Sequence, residues 1–312
     1  MNSFINRFFR KKTSRDIPPS IQDPGITDLQ NITIDPDAVS EEKILNFVQI
    51  KAHLDLPQLI VGVAQSVGIQ RDHNEDALYT LTTNMVTSDQ NLHFGLYIVA
   101  DGMGGHENGE IASSVAVDRL TSHVIRSLYL PLLSPLHNKL DISIQEIMQT
   151  GVIQAHQTIK KEVYGSGTTL TSALILGDQM TIAHVGDSRA YMFYPDRNLQ
   201  LLTHDHSLVK RLEEIGQILP EQASTHPQRN VLYRALGQGE PFEPDITTFQ
   251  IQQGTQLLLC TDGLWGVISD NEIEDIIRSS PEPQIACQSL INLANSAGGP
   301  DNISVIIVQL PK

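Results

Sequence analysis

The chain has 312 residues, of which 40% are hydrophobic, and this is enough apolar material for a globular domain with its own core. Its formal net charge of −15 argues against a nucleic-acid-binding surface, because such binding depends on Lys and Arg neutralising phosphates. The two cysteines, Cys260 and Cys287, are too few for a disulfide framework, so we expect reduced thiols and a cytoplasmic protein. The apolar stretch 128–136 is broken by two prolines, and no segment predicts a membrane span.

The first 45 residues differ in composition from the rest of the chain. Residues 1–15 contain five basic residues and no acidic one, but no secretory signal pattern. Residues 16–40 mix prolines, aspartates and isolated aliphatic residues without a helical or strand period. This composition predicts a disordered basic leader and linker at 1–45, followed by a folded domain at 46–312. Weak contact of residues 1–15 with an anionic membrane surface is the alternative that the charge favours.

Hydrophobic periodicity and turn residues predict clustered strands separated by pairs of helices. In chain order, the predicted elements are a helix at 41–54, strands at 59–68, 77–81 and 96–100, helices at 110–130 and 142–163, strands at 168–176, 180–185, 190–194 and 199–203, a helix at 207–215, strands at 246–251 and 255–260, helices at 269–278 and 282–294, and a strand at 303–310. Ser269 and Glu272 have the spacing of a capping box. This order lacks the regular alternation of a doubly wound parallel sheet, so the predicted class is α+β.

Several aspartates stand at the ends of apolar segments, next to glycines. Asp101 follows the run 96–100, Asp262 ends the segment 257–262, and Asp301 follows the glycines at 298–299 and stands two residues before the last predicted strand. A single Asp-Gly pair is most often only a turn, but the pattern recurs, and Asp76 precedes another strand. If these strand ends converge, four carboxylates crowd one pocket and require cations to neutralise them. Oxygen ligands alone select hard divalent ions such as Mg²⁺ or Mn²⁺.

Six short motifs resemble those of the metal-dependent protein serine/threonine phosphatases of the PP2C (PPM) family, in the family order. They are RDHNED at 71–76, DGMGG at 101–105, GTT at 167–169, GDSR at 186–189, TDG at 261–263 and DN at 301–302. The segments HDHS at 204–207, RNVL at 229–232 and RALG at 234–237 are similar to the bacterial members. The resemblance implies a β-sandwich of two antiparallel sheets flanked by helix pairs, in α-β-β-α layers, with metals in a cleft at one end. It further implies hydrolysis of phosphoserine and phosphothreonine by a water activated at two divalent ions.

The resemblance also assigns roles to individual residues of this chain. Asp101 is expected to bridge the two ions, with Asp262 and Asp301 on the first and Asp76 near the site. The carbonyl of Gly102 and, through water, Glu75 are expected to serve the second ion. Arg71 matches the arginine that holds the substrate phosphate, a task suited to its planar bidentate fork. The residues so implicated are, for catalysis, Arg71, Asp76 and Asp101; for substrate binding, Arg71; and for metal, Glu75, Asp76, Asp101, Gly102, Asp262 and Asp301, with Asp187 for a third ion.

Two positions depart from the family pattern. Met103 stands where many eukaryotic members have a histidine that is the proposed general acid, and a thioether has no proton to donate. His73 or His106 could lie nearby, although a loop histidine is more often only solvated. Gly266 stands where some members place a further acid that helps Asp187 to hold a third ion. The sequence therefore leaves both the general acid and the third ion open.

The expected partners are phosphorylated proteins, in particular bacterial Ser/Thr kinases and their substrates. We expect a monomer, no nucleic-acid ligand, and either Mg²⁺ or Mn²⁺ as cofactor. The alternative is a catalytically weak PP2C-like domain that binds or regulates a partner. Loss of a metal aspartate would favour that alternative, but Asp76, Asp101, Asp262 and Asp301 are all present.

Overall fold

The computed structural model describes residues 58–86, 91–104, 107–133, 142–196, 199–223 and 226–310. The basic leader predicted at 1–45, the helix predicted at 41–54 and the domain boundary predicted at 46 lie outside these residues, so all three stay predictions. Within the described ranges, no helix combines the length and the apolar character that crossing a membrane requires.

The described part of the chain contains strands in two groups and helices in pairs. The strands are β1 (Ile60–Ser66), β2 (Asp76–Val86), β3 (Asn91–Met103), β4 (Gly167–Thr168), β5 (Leu170–Leu176), β6 (Gln179–Val185), β7 (Arg189–Phe193), β8 (Gln200–Leu201), β9 (Asp245–Gln250), β10 (Gln256–Cys260) and β11 (Ile303–Gln309). The helices are α1 (Glu107–Val124), α2 (Ile144–Glu162), α3 (Leu208–Glu214), α4 (Pro220–Ala223), α5 (Asp262–Trp265), α6 (Asp270–Ser279) and α7 (Pro283–Ser296). Helix α1 runs on through a π-helical segment, Ile125–Tyr129, into a last turn, Leu130–Leu132.

The strands form two antiparallel sheets. One sheet has the order β1-β11-β10-β7-β8, and the other has the order β2-β3-β5-β6-β9, with the short β4 paired to β3. The pairing of β3 with β5 skips β4 and the helices α1 and α2, which cross over the outer face of this sheet. The first sheet receives α6 and α7 on its own outer face. The α-β-β-α sandwich predicted from the sequence is therefore confirmed.

The alternation of side chains along β3 shows why the layers form. Leu96 and Ile98 belong to the apolar cluster shared with α1 and α2, whereas Tyr97 and Val99 belong to the cluster between the two sheets. Successive strand side chains point to opposite faces, so a continuous apolar run predicts a strand that is covered on both sides. Strand β10 repeats the pattern, with Leu257 facing the other sheet and Leu258 facing the helices.

The sequence-based end of β3 is wrong. The apolar run stops at Ala100, but the strand continues to Met103, and Asp101 pairs directly with Asp76 of β2. The reason is that an apolar run marks only the part of a strand that is buried on both faces, while backbone pairing extends beyond it. Asp101 is therefore held inside a ladder rather than presented at a free strand end. The capping box at Ser269 and Glu272 is confirmed at the start of α6.

Candidate active site

The predicted carboxylates meet at one end of the sandwich because each sheet brings aspartates to that end. Asp76 and Asp101 lie opposite each other on β2 and β3. Asp262 opens α5 just after β10, and Asp301 stands two residues before β11, whose start pairs with the end of β10. The sheets are tied together here, since Asp76 Oδ2 accepts hydrogen bonds from Thr261 Oγ1 at 2.9 Å and from Ser304 Oγ at 2.7 Å.

A cavity of about 440 Å³ opens at this end of the sandwich. Its wall contains most of the residues that the sequence singled out: Arg71, Glu75, Asp101, Gly102, Asp187, Asp262 and Asp301. Asp76 is an exception, because it is buried below the cavity rather than in its wall. Its position suits support of the neighbouring strands more directly than contact with a ligand.

Burial and mutual repulsion raise the pKa of Asp76, Asp101 and Asp262 in this cluster. Burial, followed by repulsion from Asp262 and Asp76, raises the pKa of Asp101 well above its ordinary value. The pKa of Asp262 is raised to about 6, by burial and then by Asp301, although a hydrogen bond with Asp101 opposes the shift. Burial raises the pKa of Asp76 to about 7, against its hydrogen bonds with Ser304 and Thr261. Divalent cations would remove this repulsion and allow all the carboxylates to ionise.

Two oxygen atoms in the cluster have unmet bonding capacity. Asp76 Oδ1 and Asp262 Oδ1 are buried, and neither has a hydrogen-bond partner among the described residues. Within those residues, no group of three or more His, Cys, Asp or Glu side chains is placed so that it could hold a metal ion by itself. An open arrangement of carboxylates in a roomy cavity suits Mg²⁺ or Mn²⁺, since such ions retain several waters in proteins. The donor set therefore fits hard divalent ions that take some of their ligands from the protein and the rest from water.

Glycines let the start of α1 approach the cavity closely. A Cβ on Gly102 would lie 2.2 Å from the carbonyl oxygen of Gly109, and a Cβ on Gly109 would lie 2.2 Å from Glu75 Oε2. The Gly102 N–H donates to the Glu75 carbonyl at 3.2 Å. Gly109 thus leaves the space in which the Glu75 carboxylate sits.

Asn302 anchors the loop that carries Arg71 and Glu75. Its Oδ1 accepts from the Glu75 N–H at 2.8 Å, and its amide nitrogen donates to the carbonyls of Val67 and His73. The sequence placed Asn302 in a motif but predicted no role for it. The adjacent Asp301 could have indicated this role, because in a pair of neighbouring polar residues one can bind the ligand while the other fixes the loop.

Arg71 forms the ion pair at the cavity mouth. Its Nη2 donates to Asp301 Oδ2 at 2.7 Å, and about half of the arginine side chain remains exposed. The same guanidinium also lines a second cavity of about 490 Å³, which adjoins the first through Asp187, Asn230, Asp262 and Asp301. Arg71 can therefore reach a phosphate placed between the two cavities.

The protein phosphatase 2C family model matches residues 62–303, which include strands of both sheets and every carboxylate described above. The chain belongs to the protein phosphatase 2C family. It is a protein serine/threonine phosphatase, and its substrates are phosphorylated proteins.

Sequence relatives and solved structures agree with this assignment. The serine/threonine phosphatase stp of Listeria welshimeri is 38% identical over 239 residues, which cover 77% of this chain and 91% of that protein. Protein phosphatase PhpP of Streptococcus pneumoniae is 35% identical and covers 80% and 97% of the two chains. The Mycobacterium tuberculosis phosphatase PstP/Ppp superposes with a TM-score of 0.67 at 31% identity, covering 82% of this chain and all of that one. A PstP catalytic domain with two manganese ions gives a TM-score of 0.66 at 28% identity, with coverage of 82% and 100%.

Two positions at which this PP2C domain departs from the family pattern also line the cavities. Met103 is in the wall of the first cavity and Gly266 in the wall of the second. His73 shares the first cavity, where its Nε2 lies 2.8 Å from Glu75 Oε1. His106, the other histidine considered as a general acid, lies outside the described residues.

Asp187 lies in the walls of both cavities of the PP2C domain, and its surroundings were not anticipated from the sequence. The Asp187 carbonyl accepts from Trp265 Nε1 at 3.0 Å. The guanidinium of Arg189 stacks 3.6 Å from the Trp265 ring centroid and forms a two-pronged ion pair with Asp205. Burial, followed by repulsion from Asp262 and Asp205, raises the pKa of Asp187.

Proposed function

We propose that this protein hydrolyses phosphoserine and phosphothreonine in proteins at a centre of two divalent ions. Asp101, Asp262 and Asp301 hold the ions, and the Gly102 carbonyl and Glu75 complete the second position. The observation that carries the proposal is the convergence of these carboxylates from both sheets on one cavity that also contains Arg71. When bound, the two ions activate the attacking water and stabilise the charge that develops on the phosphoryl oxygens.

Arg71 holds the phosphoryl group. Its planar fork suits two parallel hydrogen bonds to phosphate oxygens. In the structure the fork is paired with Asp301, so substrate binding exchanges a carboxylate partner for a phosphate. A cation held by Asp301 would weaken the attraction of this carboxylate for Arg71 and would leave the guanidinium available to the substrate.

Asp76 positions its neighbours. Its Oδ2 is occupied by Thr261 and Ser304, and these bonds fix the strand ends that carry Asp262 and Asp301. The unpartnered Oδ1 is the atom that Asp76 would offer to the metal centre. The proton that the leaving alkoxide needs does not come from Met103; His73 is the candidate donor in the described part of the cavity wall.

The physiological role that follows is reversal of phosphorylation by bacterial Ser/Thr kinases. Relatives named serine/threonine phosphatase and the manganese-bound PstP neighbour support this role and divalent metal dependence. We propose Mg²⁺ or Mn²⁺ as the working ions, with Asp187 as the ligand of a third ion, and a cytoplasmic monomer. The alternative of a catalytically weak binding domain is less favoured, because every proposed metal aspartate is present.

The decisive test is phosphate release from a phosphothreonine peptide with Mn²⁺, with Mg²⁺ and with EDTA. We expect turnover with either ion and none with EDTA. The matched variant is Asp262→Asn, which keeps the shape of the side chain but removes its charge. We expect kcat/KM to fall by about 100-fold or more, as for the loss of a group that stabilises developing charge. Folded protein without turnover in either metal would instead support the binding-domain alternative.

A further inference from the structure

His206 lies buried between the Asp187 turn and the base of the flap, a name used here for residues 219–239. It contacts the turn through two polar groups. Its backbone N–H donates to the Gly186 carbonyl at 2.7 Å, and its ring Nδ1 accepts from the Gly186 N–H at 3.1 Å. One residue therefore satisfies both backbone polar groups of Gly186.

The Gly186 position requires glycine, whose backbone is intrinsically permissive, so its two hydrogen bonds with His206 restrict the path of the turn. The φ of Gly186 is +105°, a region that favours glycine, and an added Cβ would lie 2.6 Å from the side chain of Thr169. Asp187 follows directly, almost fully buried, in the walls of both cavities. A change in the Gly186 backbone would therefore move the Asp187 carboxylate relative to the other acids.

The hydrogen-bond partners define the proton position on the His206 ring. Because Nδ1 accepts from an N–H, the ring proton resides on Nε2, which faces Asp245 Oδ2 at 3.1 Å. Arg234 Nη1 donates to Asp245 Oδ1 at 2.6 Å and lies 3.1 Å from the same Nε2. Asp245 thus favours the tautomer that Gly186 needs. Without this carboxylate, Arg234 would donate to Nε2 and turn Nδ1 into a donor that opposes the Gly186 N–H.

The flap is bonded to the same residue. The Tyr233 N–H donates to the His206 carbonyl at 2.9 Å, and the neighbouring Ser207 pairs with Leu232. Arg234 also belongs to the flap. The His206 ring is consequently the point at which the flap, β9 through Asp245, and the Asp187 turn meet.

We propose that His206 is a positioning residue that fixes the Asp187 carboxylate in the cavity through its Nδ1 bond to Gly186. Asp245 and Arg234 keep the ring in the required tautomer. The consequence for metal use rests on the proposed two-ion function, since it assumes that Asp187 contributes to ion binding. The position of the Asp187 turn does not rest on that function, because it depends only on the hydrogen bonds between His206 and Gly186.

Two variants of His206 distinguish the effect of its Nδ1 hydrogen bond to Gly186 from the effect of the volume of its ring. In His206→Asn, the side-chain oxygen can take the place of Nδ1, whereas in His206→Gln the amide reaches the place of Nε2 and the Gly186 bond is lost. Trp265 is the single tryptophan of the chain and donates to Asp187, so its fluorescence reports on the turn. Each variant is measured for Trp265 emission, acrylamide quenching and the Mn²⁺ concentration that gives half-maximal turnover. His204→Gln serves as the control at a neighbouring histidine whose ring pairs with Glu214.

We expect His206→Gln to increase Trp265 quenching and to raise the half-maximal Mn²⁺ concentration by about 10-fold, as for the loss of other groups that orient metal ligands. His206→Asn should stay within about threefold of the wild type in Mn²⁺ requirement. If the two variants are indistinguishable in both measurements, His206 only fills space and the inference is overturned. A wild-type protein without Mn²⁺-dependent turnover would overturn the proposed function, while the quenching comparison still tests the turn.

A second variant covers the case in which His206→Gln does not fold. Asp245 is about half exposed, so Asp245→Leu removes the carboxylate with little effect on the core. We expect it to shift Trp265 quenching and Mn²⁺ requirement in the same direction as His206→Gln. Wild-type values in both measurements would show that the tautomer does not control the turn.

Discussion

Arg71 and Asp301 form an ion pair at the mouth of the first cavity. The two are paired at 2.7 Å, yet the arginine is half exposed and the pair lies at the junction of two cavities. An exposed ion pair of this kind contributes little to stability. In the proposed function, this pair holds the Arg71 guanidinium at the cavity mouth and costs little to break when a phosphate replaces Asp301 as the partner.

At this scale we predict that Arg71→Lys keeps the charge but loses the planar fork. Loss of a charge-assisted hydrogen bond of about 1.5–3 kcal/mol corresponds to a fall in kcat/KM of about 10-fold or more. Steady-state kinetics on a phosphothreonine peptide measures this, with Arg278→Lys, at an exposed ion pair on α6, as control. An unchanged kcat/KM for Arg71→Lys would show that its fork does not bind the phosphate.

The start of helix α1 is the element that limits the geometry of the second ion position that we propose. Gly109 packs against Gly102 and leaves room for the Glu75 carboxylate. A Cβ on Gly109 would meet mainly the far end of the flexible Glu75 side chain, at 2.2 Å, which can move aside at small energetic cost, while the Gly102 backbone carbon lies farther away, at 3.2 Å. Substitution here should therefore affect the ion site more than the fold.

We predict that Gly109→Ala displaces the Glu75 carboxylate and raises the Mn²⁺ concentration for half-maximal turnover by about 10-fold. The thermal midpoint should change little, because alanine favours a helix over glycine by up to about 1 kcal/mol and offsets the contact. Glu110→Ala, at the next and exposed position of α1, is the matched control. A Gly109→Ala enzyme with the wild-type Mn²⁺ requirement would contradict this role for Glu75.

The molecule as a whole concentrates like charge where its two sheets meet. The sandwich places Asp76, Asp101, Asp187 and Asp262 together in a buried region, and burial raises the pKa of each. For a carboxyl group whose pKa is higher in the folded than in the unfolded chain, stability is lost as pH rises between the two values. For Asp76 this interval runs from 3.8 to about 7.

We predict that metal-free Asp76→Asn protein becomes increasingly more stable than the wild type as pH rises from about 4 to 7, with a constant difference above that range. The asparagine oxygen can still accept from Thr261 and Ser304, and it carries no charge. Thermal unfolding in EDTA across this pH range measures the difference. Comparison of the two proteins removes the opposite contribution of buried histidines such as His184, whose pKa is lowered to about 4 by burial.

Saturating Mn²⁺ should reduce or reverse that difference, because the cation compensates the wild-type carboxylate. A difference that is independent of pH, with or without metal, would mean that Asp76 is ionised in the folded protein without a cation.

By itself, the sequence determined the α+β class from the order of its elements, and its six motifs, through their resemblance to the PP2C family, implied the layers of the sandwich and most of the cavity residues. The class was readable locally, because continuous apolar runs bounded by glycine predict strands, and a carboxylate beside a glycine predicts a presented ligand. The capping box at Ser269 was also readable, because both of its partners lie within one turn of α6. The same local logic failed at Asp101, since backbone pairing continues past the end of an apolar run.

Only the tertiary structure decided which carboxylates face the cavity and which support it. Asp76 bonds to Thr261 and Ser304, 185 and 228 residues further along the chain, and no local pattern encodes contacts at such separation. The same holds for Asn302 beneath Glu75 and for His206 beneath Gly186. Packing of two sheets brings these groups within hydrogen-bond distance, and that packing depends on the sum of many apolar contacts rather than on any motif.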